Sequence, residues 1–227
     1  MINKNEPFKL NVNGHYSFDL HPSDLQELEN IVAGTNIIVI SDEVYEHIVF
    51  DDQQHQSVAR YKRLADQSFI ISSFGKTVHT TGWKIGYVAA RKDLMTEFRK
   101  VHQFLVFSVN HPFQLGLADF LGNKDNYLEL KHFYQRKRDL FLKLTKASRF
   151  TPIQAAGTYF QLMSYSQITD EHDADLAIRL TKEKKIATVP LSVFYTDKRD
   201  PKILRFCFAK KEETLDAAVR RLVAGDW

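Results

Sequence analysis

The stretch SSFGKTVHTTGWKIGYVAA, residues 72–90, sets two lysines, Lys76 and Lys84, among glycines and hydroxyls between two apolar runs. A lysine just past a buried strand has its amine near low-dielectric walls, where desolvation and neighbouring cations lower its pKa and make it a Schiff-base nucleophile. A solvated surface lysine is the other reading of Lys76, and position alone favours it. Lys84 shifts the balance. A second ammonium close by, with the hydroxyls of Ser72 and Ser73, makes a cradle suited to a phosphate, so that one lysine holds the anion while the other attacks. Gly82 and Gly86 then let the backbone come close. Upstream, SDEVYEH (41–47) puts Asp42 directly after another apolar run. A carboxylate there holds a protonated ring nitrogen or a metal, or caps the next helix. Tyr45 either aims its phenol at the same place or packs as a partly exposed tyrosine.

These residues act together only if the fold brings them to one edge. In open α/β sheets ligands bind beyond the carboxyl ends of the strands. The runs 37–40, 69–73 and 85–90 are short and apolar, and helix-length segments separate them, which predicts a parallel sheet covered on both faces. Pro22 and a Ser23-x-x-Gln26 capping pattern open a helix that runs through Ile31 and ends at Gly34. Helical periodicity returns over 93–107, 112–121 and 125–148. After Phe150 the texture changes to strand 158–163, helix 173–184, strand 203–209 and helix 212–223. That tail is α+β, and the boundary is placed near Asn123. The first half shows three strands where a doubly wound sheet has about five or more, and its leader, residues 1–20, is polar and poorly patterned.

Composition sets the outer limits. The chain has 227 residues, 44% of them hydrophobic, enough for one large domain or two modest ones. Its 31 basic and 28 acidic residues are scattered, so the formal charge of +3 carries no nucleic-acid footprint. The single cysteine, Cys207, excludes an internal disulfide and agrees with a reducing compartment. No apolar run approaches the roughly 20 residues needed to span a bilayer, and the N-terminus lacks the apolar core of a signal peptide. A cytoplasmic protein with no nucleic-acid or membrane partner is expected.

The ordered set SDEVYEH, SSFGKTVHTTGWKIGYV, VHQFLVFSVNHPFQLGLADFL, GTYF, PLSVFY and RFCFAKKEETLDAA resembles the fold-type I, class I/II aminotransferases that depend on pyridoxal 5'-phosphate. Within them it is most similar to the bacterial methionine aminotransferase branch, which is itself like the kynurenine aminotransferases. The resemblance runs from about Pro22 to Leu222 and implies a homodimeric enzyme that moves an amino group between an amino acid and a 2-oxo acid. It implies a partial large domain (1–122), three-layered with a mostly parallel sheet, followed by a small α+β domain (123–227). By the same resemblance Lys76 forms the Schiff base with the cofactor aldehyde and later shuttles the proton between Cα and C4′. Asp42 pairs with the pyridine N–H and keeps the ring an electron sink. Tyr45 hydrogen-bonds the ring oxygen, Ser73 and Lys84 bind the phosphate, and Arg205 clamps the substrate α-carboxylate through two parallel hydrogen bonds. Many relatives carry arginine at the position of Lys84.

The resemblance covers only the later part of such enzymes. The glycine-containing phosphate loop, the aromatic that stacks on the ring and an NPxNP-like turn are not found; NVNGHYSFDL (11–20) stands where that turn belongs and does not match it. A sheet reduced in this way leaves apolar faces open, which predicts association or a partner. The apolar pocket candidates, among them Phe194 and Tyr195, favour methionine or aromatic substrates over dicarboxylic ones. The aromatic segment 104–113 lines either a dimer-shared pocket or the core. His47 and His79 read as structural, and Trp83 and Phe74 as packing residues. Two rivals are a cofactor-dependent C–S lyase, which needs no amino acceptor, and a non-catalytic product of a truncated gene. A Rossmann-type dehydrogenase is disfavoured because no Gly-x-Gly-x-x-Gly follows a strand.

Overall fold

The computed structural model describes residues 20–224, which divide between Lys131 and His132 into two compact units. The leader through Asp19 and residues 225–227 lie outside the described residues, and the comparison of 11–19 with the family's turn lies outside them too.

The first unit opens with helix α1 (Pro22–Val32). Its N-terminus is closed by Asp24, whose carboxylate accepts from the His21 N–H at 2.8 Å, rather than by the expected Ser23/Gln26 pair. Leu25 and Val32 lie on one helical face, spaced by two turns, and with Val39, Val58 and Leu64 they form a core of nearly inaccessible side chains. Each such side chain stabilises by about 1.5–3 kcal/mol relative to exposure. The chain turns at Gly34, φ +72°, and enters β1 (Val39–Asp42). A one-turn helix α2 (Lys62–Ala65) leads to β2 (Ser68–Ser73), one-turn α3 (Phe74–Thr77) leaves it, and β3 (Gly86–Ala89) follows. Helices α4 (Lys92–Leu105), α5 (His111–Leu121) and α6 (Asp125–Leu128) complete the unit.

The sheet order is β1-β2-β3. β1 and β2 are parallel, with Asp42 opposite Ile71, while β3 is antiparallel to β2, with Ser73 opposite Gly86. The sheet is therefore mixed, where the run pattern alone suggested parallel strands. The connection from β2 to β3, residues 74–85, holds only one-turn segments and no helix long enough to carry the chain back along the sheet, so it reverses direction at the same edge. α4 has no buried residue, and Phe104 and Phe107 are 84% and 85% exposed, so the 104–113 segment is not core of this unit.

The division falls within the first turn of α7 (Leu130–Thr145). In the second unit β4 (Thr151–Pro152) and β5 (Phe160–Ser164) precede α8 (Asp173–Arg179), which passes into a π turn, Leu180–Lys184. β6 (Val189–Pro190), β7 (Ile203–Cys207) and α9 (Glu212–Val223) follow. The sheet is antiparallel in order β4-β5-β7-β6, and its two prolines stand on the edge strands, where the missing N–H costs no ladder bond. Pairing sorts the faces. Gln161, Met163, Leu204 and Phe206 form the buried side, and Phe206 meets Phe141 of α7 and Phe150 at ring distances of 6.0 and 5.6 Å. Phe160, Arg205 and Cys207 stand on the other, half-buried side.

Candidate active site

Three strands deliver the candidate residues of the first unit to one edge. Asp42 ends β1 and Ser73 ends β2, and because these strands are parallel both lie at the carboxyl edge. β3 runs the other way, so its first residue, Gly86, pairs with Ser73, and Lys84 arrives at the same edge just before it. Adjacent strands lie about 4.8 Å apart, so Asp42 and Lys84, on either side of β2, are about two strand spacings apart along this edge, with Ser73 between them. Lys76 sits in α3, the single turn that leaves β2. Tyr45, 6% exposed, lies in the turn after β1, where its carbonyl accepts from the Ile48 N–H at 2.8 Å. It is thus buried rather than partly exposed.

Three groups of this edge carry little side-chain hydrogen bonding among the described residues. The Asp42 carboxylate accepts one long bond, 3.4 Å, from the Val44 N–H. Among the described residues the Ser73 hydroxyl and the Lys84 ammonium make no side-chain hydrogen bond or ion pair. Lys84 and His79 have φ of +56° and +57°, a left-handed conformation that costs a non-glycine residue on the order of 1 kcal/mol or more. The loop closes on itself through the Phe74 N–H, which donates to the Ile85 carbonyl at 3.1 Å. Two glycines make this possible: a Cβ on Gly75 would lie 2.9 Å from Thr81 Cα, and one on Gly86 would collide with the Ser72 carbonyl oxygen. Gly82 has nothing within 4 Å of its Cβ position.

Ser72 does not join the anion cradle. Successive strand residues point to opposite faces, and the buried Ser72 hydroxyl donates to Glu46 at 2.7 Å. The Tyr87 hydroxyl donates to the same Glu46 oxygen at 2.7 Å, and burial, reinforced by Glu46, pushes the Tyr87 phenol up to about 12. Glu46 also lies 4.0 Å from His47, whose imidazole burial holds below its ordinary value against the opposing pull of Glu46. A cavity of about 240 Å³ opens beside Glu46, His47, Phe74 and Tyr87. A larger one, about 680 Å³, lies at the opposite end of the strands near Asn36, Gln67 and Arg91, away from the candidate edge.

The turn that carries Asp42 and Tyr45 is anchored by Glu43, which the sequence did not single out. Its carboxylate, 3% exposed, accepts from Ser41 Oγ at 2.9 Å and from the Val58 N–H at 3.1 Å, and pairs with His55 at 2.9 Å. Burial raises the Glu43 pKa, but the hydrogen bonds from His55, Ser57 and Ser41 and the His55 charge outweigh it and hold the group below its ordinary value. Only its place beside Asp42 in SDEVYEH hinted at this role. Trp83 and Phe74 are packing residues as expected: Trp83 stacks on Phe113 at 4.4 Å and Phe74 lies 5.5 Å from Tyr87.

In the second unit Arg205 stands mid-strand on β7, between Leu162 and Val189, with its guanidinium carbon 4.1 Å from the Phe160 ring centroid and 5.5 Å from that of Phe194. Nearby, Asp173 is fully buried and accepts from the Ser192 N–H at 2.7 Å and the Ser192 hydroxyl at 2.5 Å. His172, Asp173 and Asp200 lie close enough to suggest a cation site, but the Lys202 ammonium stands 2.9 Å from Asp200, so the cluster carries its own cation.

Residues 18–222 match the family model described as aminotransferase class I and II. The chain belongs to that family. This aminotransferase-family chain is 47% identical over 201 residues to the methionine aminotransferase of Escherichia coli K12, covering 88% of itself and 52% of that protein. It is 34% identical over 219 residues to a kynurenine–oxoglutarate transaminase of Dictyostelium discoideum, covering 86% of itself and 50% of that relative. Among solved structures, an E. coli protein identified as having methionine aminotransferase function superposes with a TM-score of 0.93 at 43% identity, over 98% of this chain and 60% of the other. The family member described here therefore spans about half the length of the curated relatives it matches. Its fold is a partial α/β aminotransferase fold of type I, with a mixed sheet.

Proposed function

We propose that the first unit carries the pyridoxal phosphate site of an aminotransferase and that the protein exchanges an amino group between an amino acid, methionine or aromatic, and a 2-oxo acid. The observation that carries this reading is the convergence at one sheet edge of an acceptor, Asp42, and donors, Ser73 and Lys84, whose hydrogen-bonding capacity is largely open among the described residues, beside Lys76. That set fits a phosphorylated pyridine: Asp42 would hold the ring N–H, Tyr45 the ring oxygen, and Ser73 and Lys84 the phosphate. The buried Thr80 hydroxyl, without a partner among the described residues, lies in the same loop and is a polar group that a ligand would satisfy.

When bound, the cofactor supplies an electron sink that makes the substrate Cα–H acidic. In this reading Lys76 would hold the cofactor through its amine and would carry a proton to and from the substrate Cα. Asp42 would accept from the ring N–H. Arg205 takes the substrate carboxylate through paired N–H donors. In this reading 1–122 is the later part of the cofactor domain and 123–227 the small domain. Exposed Phe104, Leu105 and Phe107 support pairing with a second subunit, and the lone Cys207 supports a cytoplasmic setting.

The test is to titrate the purified chain with pyridoxal phosphate, reduce with borohydride and map the adduct by mass spectrometry. A saturable adduct on Lys76, absent in Lys76→Arg, is expected. Labelling spread evenly over surface lysines would overturn the reading. Acceptor-dependent formation of a new amino acid from methionine then separates transamination from elimination.

A further inference from the structure

Arg205 is more than an arginine at a plausible strand position. On an antiparallel pair, diagonal neighbours on one face reach one another when a side chain is long or aromatic. Phe160 is opposite Cys207, two residues along from Arg205, and its ring lies under the guanidinium at 4.1 Å. That ring is itself backed by Tyr159 at 4.7 Å, which in turn meets Tyr134 of α7 at 5.7 Å. The second ring, Phe194 at 5.5 Å, closes a one-turn segment, Ser192–Phe194. Its start is fixed by both oxygens of Asp173, one on the Ser192 N–H and one on the Ser192 hydroxyl.

We infer that Phe160 and Phe194 are positioning residues that grip the flat faces of the Arg205 guanidinium, and that buried Asp173 sets the Phe194 side of the grip through Ser192. This rests on the reading of Arg205 as the residue that binds the substrate carboxylate. A guanidinium stacks through its faces and donates hydrogen bonds in its own plane, so rings on its faces leave the N–H edge available to a carboxylate. Holding that plane before substrate arrives removes rotamer freedom that binding would otherwise have to freeze. Partial desolvation by two rings also strengthens the charge-assisted bonds that form. Asp173 is suited to the anchoring role because it is fully inaccessible and both its oxygens accept from Ser192, with His172 Nδ1 3.2 Å from one of them.

The full chain, labelled with nitrogen-15, tests this through the Arg205 Nε–Hε resonance. In the wild type the Phe160 ring current should shift this signal upfield, and Phe160→Leu should abolish the shift; an unshifted wild-type signal would overturn the grip. Titration with L-methionine should move the same signal. Its affinity should fall roughly five- to tenfold in Phe160→Leu and in Phe194→Leu. It should recover in Phe160→Tyr, which keeps the ring, and weaken in Ser192→Ala, which removes the buried hydroxyl that donates to Asp173. Equal affinity in wild type and Phe160→Leu would sink the positioning role. A ring-shifted signal that ignores methionine would leave the grip standing and overturn only the carboxylate-binding role of Arg205.

Discussion

Replacing Glu43 by alanine should loosen the turn that carries Asp42 and Tyr45, by an amount that follows from its contacts. The substitution strands two buried donors, the Ser41 hydroxyl and the Val58 N–H, and releases His55. A buried donor without a partner costs about 1–3 kcal/mol, so the pair comes to roughly 3 kcal/mol once water partly refills the gap. That corresponds to about a hundredfold increase in local opening. Hydrogen exchange reads it directly at the amides of Val39 and of residue 43, which donate to Gln67 and Ile71 at 2.8 and 2.7 Å, once the rate at residue 43 is corrected for its new side chain. Glu43→Gln keeps one acceptor oxygen and should cost less than Glu43→Ala. The pH dependence has a definite sign. The folded pKa lies below the ordinary 4.5, so the stabilisation is complete above that value and is lost as pH falls through the lower folded one. Exchange in Glu43→Ala within threefold of the wild type would refute the anchoring argument.

Gly86→Ala should destabilise the first unit by about 1–3 kcal/mol, because the new methyl meets the Ser72 carbonyl and pries β3 from β2 at the Ser73 pair. Denaturant unfolding followed by Trp83 fluorescence in a Trp227→Phe background checks this, and an unchanged midpoint contradicts it. Tyr87→Phe should remove an absorbance step near pH 12 from the tyrosine titration. Since the folded pKa is raised above the ordinary 10, the Tyr87 contribution is full below pH 10 and disappears as pH rises towards 12; loss of a step near 10 instead would show the phenol to be free of Glu46.

The sequence carried what depends on local order. Apolar runs located β1, β2 and β3 to within two residues, and the helix over 212–223 is found with the same limits because its period and flanks are unambiguous. Residue order within SDEVYEH and SSFGKTVHTTGWKIGYV was enough to nominate Asp42, Tyr45, Ser73, Lys76 and Lys84. It could not show strand direction: the reversal of β3, which brings Lys84 to the Asp42 edge, comes from pairing between distant segments. Nor could it separate Ser72 from Ser73, since the face each occupies is set by sheet register. The two-residue strands β4 and β6 were too short to have a period, and the helices expected over 125–148 and 173–184 break at Glu129 and at a π turn. Glu43 and Phe160 acquire their roles from partners many residues away. Composition and spacing thus set which groups are present and which segments are regular, while long-range pairing alone decides which side chains meet, because hydrogen-bond register and burial are properties of the assembled sheet.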